Sequence, residues 1–247
     1  MSKAFLNLSA YAFVALDALP ARRDALQRLG LAHGLKGTVL LAEEGINLFV
    51  AGPERGARAW LDGLRQDARL AALDAKESWS DALPFRHLRV KVKREIIRMN
   101  QPQVQPAAGR AAAIDAATLA RWLDGGRDDQ GRKVLLLDTR NGFEVDAGAF
   151  TGAIDWRLQK FSDFPAALAA HRDELAGHTV VSYCTGGIRC EKAALAMRDA
   201  GLEHVYQLDG GVLRYFEHLP DAPHWCGRCF VFDGRETLGA DLAPAPA

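Results

Sequence analysis

Long apolar stretches are missing from this chain of 247 residues. No run approaches the roughly 20 apolar residues that a membrane helix needs, so no membrane span is expected. Cysteine is scarce as well. The four residues, Cys184, Cys190, Cys226 and Cys229, are unevenly spaced, which excludes a disulfide-stapled scaffold and fits a reducing compartment. The first residues, Met1-Ser2-Lys3-Ala4-Phe5, lack the charged-then-apolar layout of a secretory signal, so a cytoplasmic location is expected. Net charge is also absent, with 31 Lys and Arg against 31 Asp and Glu. That balance hides an asymmetry: residues 1–100 carry 16 cations against 11 anions, and the remainder 15 against 20. An anionic partner is therefore met first by the N-terminal half.

What is present is the composition of a soluble globular protein, 49% apolar and 25% charged, at a length that suits two domains. Residues 5–16 read as a strand and 20–32 as a helix with Leu26 and Leu29 on its inner face. A hairpin follows, formed by strands at Thr38–Ala42 and Ile46–Ala51 around Glu43-Glu44-Gly45. A second helix near Pro53–Asp67 and a strand near His87–Met99 complete a βαββαβ order, the ferredoxin-like pattern. The polar, proline-punctuated stretch Asn100–Gly109 reads as an extended linker. Beyond it, a helix at Asp115–Leu123, strands at Val134–Asp138, near Ala153-Ile154, at Thr179–Tyr183 and at Val205–Leu208, and helices at Pro165–Leu175 and Glu191–Ala200 alternate. Continuous apolar strands between helices predict a parallel sheet covered on both faces. The expected organisation is a ferredoxin-like α+β domain over 1–99, a linker over 100–113, a parallel-sheet α/β domain over 114–219 and an extended arm over 220–247. The tail 243–247 is expected to fray.

The most informative stretch is Val180-Val181-Ser182-Tyr183-Cys184-Thr185-Gly186-Gly187-Ile188-Arg189-Cys190-Glu191. A β-branched strand delivers Cys184 into a glycine loop that opens a helix. Loop N–H groups and the helix N-terminus favour negative charge, so they stabilise a thiolate, a persulfide or an oxyanion. The competing reading is a buried structural cysteine before a turn. Arg189 follows Cys184 at the fifth position, one short of the spacing with which cysteine-dependent phosphatases wrap a phosphate. The shorter loop suits a sulfur atom better than a phosphoryl group. Cys190 falls in the first helical turn, where it either packs against the sheet or resolves an oxidised Cys184.

Trp225-Cys226-Gly227-Arg228-Cys229 imitates a redox or zinc CxxC pair, but it sits after the last strand and lacks a second pair, which favours packing of the arm. His171-Arg172-Asp173 lies inside a helix, where positions two apart do not share a face. No dinucleotide fingerprint follows a strand. The sequence shows no metal or cofactor site.

Asp138-Thr139-Arg140 with Glu144, the spacing Gly148-Ala149-Phe150-Thr151-Gly152-Ala153, the Cys184–Arg189 loop and Leu208-Asp209-Gly210-Gly211 together resemble a rhodanese domain over about residues 114–219. Gly37–Asn47, Leu88–Ile97, Cys184–Lys192 and Cys229–Asp233 resemble one branch, the bacterial rhodanese-like tRNA uridine hydroxylases. The resemblance implies formation of 5-hydroxyuridine at the wobble position, with molecular oxygen as co-substrate and an electron donor the sequence does not name. It implies that Cys184 is the catalytic residue, passing through a persulfide, within the active-site loop Thr185, Gly186, Gly187, Ile188 and Arg189. The Arg189 guanidinium would hold an anionic sulfur or a phosphate. Asp138 and Arg140 are expected to brace the site as an ion pair, with Cys190 in support. tRNA is the implied partner, and a sulfur donor protein a second.

Arg89, Lys91 and Lys93 alternate with Val90 and Val92, which places the cations on one strand face. A solvated face is the ordinary reading. With the resemblance, Arg89, Lys91, Lys93 and Arg94 become an expected RNA contact. Trp60, Trp79 and Phe85 are expected in packing rather than base stacking. Two alternatives remain: sulfur transfer to small thiols, which the same loop would serve, and a non-catalytic RNA-binding or regulatory module, against which the intact Cys184 and complete loop speak.

Overall fold

The computed structural model describes residues 4–245, so the end residues Met1–Lys3 of the leader reading and 246–247 of the tail lie outside the described residues. The chain forms two compact units, one of residues up to 98 with 232–236, the other of residues 99–231 with 237–245.

The first unit contains β1 (Phe5–Phe13), α1 (Leu19–Ala32), β2 (Lys36–Ala42), β3 (Gly45–Pro53), α2 (Glu54–Arg65), β4 (Ala75–Ser80) and β5 (Leu88–Val92). Its sheet order is β4-β1-β3-β2-β5. In β1, Leu6, Leu8 and Ala10 alternate inward, as period two demands. The β2–β3 hairpin closes with Ala42 opposite Gly45. On α2, Ala57, Trp60, Leu61 and Leu64 recur at helical spacing and bury one stripe on the sheet. Trp60 is thus a core residue.

This is the ferredoxin-like arrangement, with two corrections. The fourth strand is Ala75–Ser80, an edge strand paired antiparallel with β1. Its sequence, Ala-Lys-Glu-Ser-Trp-Ser, carries no apolar alternation, so its pairing is invisible without β1. The segment expected as that strand, 87–99, instead contributes the short β5, parallel to β2 at the opposite edge. Beyond it the chain leaves the sheet, and Val92 is exposed rather than turned inward with Val90. The second correction concerns α1. It approaches the sheet at Gly30, where a Cβ would lie 2.5 Å from Leu88 Cδ2. That close approach turns Leu29 outward, to 37% exposure.

The second unit runs β6 (Ala112–Ile114), α3 (Ala116–Gly125), β7 (Val134–Asp138), α4 (Gly142–Ala147), β8 (Gly148–Phe150), β9 (Ile154–Asp155), α5 (Phe164–Leu175), β10 (Thr179–Tyr183), α6 (Ile188–Asp199), β11 (Val205–Leu208) and α7 (Gly211–His218). The arm adds β12 (Trp225–Gly227), β13 (Cys229–Phe230) and β14 (Thr237–Leu238). The main sheet, β6-β11-β10-β7-β9, is parallel throughout. β10 is buried along its whole length, as its continuous apolar run requires. Tyr183 lies opposite Asp138, so the carboxyl ends of β7 and β10 deliver their following residues side by side.

The stretch 100–113 is not a loose tether: Val104 and Pro106 are buried, and Arg110 pairs with Glu191 at 2.6 Å. The arm is pinned by β12 against β8, and within it β13 pairs with β14. Ala243, expected to fray, is held instead, since its carbonyl accepts from Gly239 N–H and from Arg228 Nη2.

Candidate active site

Cys184 is the first residue after β10, and its side chain is fully buried. Gly187 takes φ +98 at the N-cap of α6, a left-handed conformation that glycine reaches without a Cβ penalty. This turn folds the loop back so that Gly187 N–H donates to Cys184 Sγ at 3.1 Å. α7 closes the other side: Val212 N–H donates to the Cys184 carbonyl and Leu213 N–H to that of Thr185, both at 3.0 Å. The contact depends on Gly211, at φ +65, where a Cβ would lie 2.3 Å from the Cys184 carbonyl oxygen.

Burial pushes the Cys184 thiol up, but a hydrogen bond from the Cys190 thiol, the Arg189 charge and the amides of Arg189 and Cys190 outweigh it. The net value is lowered to about 6. Cys190 moves the opposite way, because it is buried and faces the Cys184 sulfur. The pair therefore shares one negative charge, carried by Cys184. Thr139 Oγ1 lies 3.7 Å from Cys190 Sγ and donates to the Tyr183 carbonyl at 2.9 Å, joining the ends of both strands.

Arg189 follows in the first turn of α6 and is buried. Its two terminal nitrogens bond Glu144 at 2.6 and 2.7 Å in a buried ion pair. Its charge still acts on Cys184 through space. Glu144 also accepts from Thr185 Oγ1 at 3.2 Å and from Asn141 N–H at 3.0 Å. Burial raises the Glu144 carboxyl, and the Arg189 charge more than offsets this, holding it below the usual carboxylate range. Glu144 is thus a site residue, which the sequence reading named only as part of the rhodanese resemblance and gave no role. The signal was there: Asn141 and Glu144 stand at the N-cap and third positions of α4, a capping pattern.

Residues 5–96 match the family described as UPF0176 acylphosphatase-like domain, and residues 115–218 match the rhodanese-like domain. Three relatives are named tRNA uridine(34) hydroxylase. That of Variovorax paradoxus is 60% identical over 242 residues, covering 98% of this chain and 92% of the relative. That of Delftia acidovorans is 61% identical over 241 residues, covering 98% and 91%. That of Bordetella petrii is 62% identical over 245 residues, covering 99% and 96%. The chain belongs to the tRNA uridine(34) hydroxylase family. Its two domains are an acylphosphatase-like domain followed by a rhodanese domain.

In this family member Asp138 and Arg140 form a fully buried pair at 2.6 Å. Arg140 also donates to the Gly148 carbonyl at 2.7 Å and lies over the rings of Tyr183 and Trp225. It braces β7, β8 and the arm behind the loop without touching Cys184. The CxxC residues part company: Cys226 is exposed beside Thr151, and Cys229 is buried with its thiol pushed up to about 12 by that burial. Among the described residues, no three His, Cys, Asp or Glu side chains gather as metal ligands would. Arg89 and Lys91 project from the exposed face of β5, and Lys93 and Arg94 follow it, also exposed. All four belong to the first unit, whereas the Cys184 loop belongs to the second.

Proposed function

We propose that this chain hydroxylates uridine 34 of tRNA, the wobble base, at C5, with Cys184 as the catalytic residue. The observation that carries the reading is a buried thiol lowered to about 6, under loop amides at the carboxyl ends of a parallel sheet, in a family of hydroxylases. A base inside a stack is unreachable, so the uridine has to be unstacked and swung out. Cys184 is fully covered, so the cover over the loop has to open before a base arrives.

The chemistry follows from the electron demand of uracil. The sulfur anion adds to C6, and the displaced electron pair passes to C5 and O4 as an enolate. C5 then bonds an oxygen atom from the oxidant and loses its proton. The sulfur leaves C6, which restores the double bond and yields 5-hydroxyuridine. With molecular oxygen as co-substrate, the second oxygen atom leaves as water, drawing two electrons and two protons from a donor. The nucleophile is Cys184 Sγ or the outer sulfur of a persulfide supplied by a sulfur donor protein, and the loop amides serve either anion. Arg89, Lys91, Lys93 and Arg94 provide the cationic face for RNA phosphates. The work is that of a cytoplasmic oxidoreductase.

Reaction of the purified chain with tRNA under heavy-isotope oxygen gas, with a reductant supplied as the two-electron donor, tests this reading. Labelled 5-hydroxyuridine is expected, and product formed under argon contradicts the oxygen step. The sulfur-sized loop also serves a second reading, sulfur transfer to small thiols. That reading requires efficient thiosulfate turnover together with unmodified tRNA.

A further inference from the structure

The first unit holds a cavity of about 370 Å³ that the chemistry at Cys184 does not use. Three of its lining residues, Lys36, Arg86 and His87, are polar or cationic, and three, Leu31, Leu35 and Leu88, form an apolar wall. The volume is near the lower end for small-ligand pockets. No acid lines it.

Strand register explains why these groups converge. Gly37 pairs with Leu88, so Lys36 at the start of β2 and His87 just before β5 stand side by side; Thr38 pairs with Arg89, and Leu40 with Lys91. Side chains alternate, and Val39, Leu41, Leu88 and Val90 are buried on the inner face. His87, Arg89 and Lys91 therefore share the outer face, and the cations Arg89 and Lys91 lead along it to the His87 ring at the cavity. The C-terminal end of α1 borders the cavity and would repel an anion through its carbonyls. Here three of those carbonyls are already engaged: Leu29 accepts from His33 N–H, Leu31 from Gly34 N–H and Gly30 from Leu35 N–H. Leu31 is 59% exposed, an apolar surface that a ring can cover.

We propose that this cavity is a nucleotide subsite for single-stranded RNA. Lys36 and Arg86 hold a phosphate, the His87 ring and the exposed Leu31 side chain hold a base, and Arg89 and Lys91 carry neighbouring phosphates. The subsite rests on the tRNA reading above and deepens it by placing an RNA-positioning site on the acylphosphatase-like domain.

The test uses the full chain and a fluorescent anticodon stem-loop RNA. The double variant Lys36→Ala, Arg86→Ala is expected to bind about tenfold more weakly and to flatten the salt dependence by about 1–2 in log–log slope. It should raise KM for tRNA with kcat and the Cys184 alkylation rate unchanged. Lys36→Arg with Arg86→Lys should retain most of the affinity. Unchanged RNA affinity and slope in the alanine variant overturn the proposal. So does a site that binds free uridine monophosphate or inorganic phosphate, loses them in the variant and leaves RNA binding intact. A wild-type chain that binds no RNA overturns both this subsite and the function it rests on. Weakened RNA binding in the double variant together with full hydroxylation by Cys184→Ala overturns the role of Cys184 and leaves the subsite standing.

Discussion

Cys184 sits between burial, which opposes a charge, and a neighbouring thiol, a cation and two amides, which favour one. Because its folded value is lowered to about 6 and that of an unfolded thiol is about 8.5, the thiolate adds stability above the unfolded value. This contribution is lost as pH falls through about 6. The unfolding free energy of the wild type minus that of Cys184→Ser is therefore expected to rise between about pH 6 and pH 8.5, then level off. Urea titrations across that range check it, and a difference that falls with pH would contradict it. Cys190→Ala removes the thiol donor, so the ultraviolet thiolate absorbance of Cys184 should titrate at higher pH than in the wild type. Glu144→Gln removes the carboxylate paired with the buried Arg189 guanidinium and is expected to cost about 3–5 kcal/mol by denaturant unfolding. At this scale the sequence disclosed Cys184 and its loop, because one strand, two glycines and a helix start are contiguous. Glu144 was harder to see because it lies far earlier in the chain, and only the register of β7 with β10 brings α4 to the loop.

Elements hold the loop through backbone approach more than through side chains. α7 can donate to the Cys184 and Thr185 carbonyls only because Gly211 has no Cβ. Gly211→Ala is expected to cost at least about 1–3 kcal/mol and to abolish activity. Gly126→Ala is the control, since Gly126 has a similar φ of +64 but nothing within 4 Å; it should cost no more than about 1 kcal/mol and leave turnover intact. Thermal unfolding beside an activity assay separates the two. The same contrast explains which elements were legible. Val134–Asp138, Thr179–Tyr183 and Val205–Leu208 stand where the sequence placed them, because buried parallel strands are continuous apolar runs. β4 was missed because an edge strand needs little apolar pattern, and its partner, β1, is far away in sequence. α4 and α7 were missed because each is short and begins with glycine, which reads locally as a turn.

At the scale of the whole molecule, charge and chemistry are divided between two units. The excess of cations lies in residues 1–100, and the reactive thiol lies in the other unit. If the first unit tracks RNA phosphates, Arg89→Glu with Lys91→Glu should weaken tRNA binding regardless of loop sequence and reduce its salt dependence. Filter binding at several salt concentrations checks this, and the Cys184 titration should not move. The units are separate in sequence except at the arm, where residues 232–236 join the first: Arg235 donates to Ser78 Oγ at 2.7 Å, and Gly234 N–H to the Pro84 carbonyl at 2.9 Å. That return was illegible in a segment read only as an extended arm, since it depends on single polar contacts with distant residues. The division of labour stands or falls with Cys184. Nucleoside mass spectrometry of tRNA from cells lacking this chain, complemented with wild type or with Cys184→Ala, measures it directly. The account predicts that 5-hydroxyuridine returns with the wild type and stays absent with the variant; equal restoration by both would contradict it.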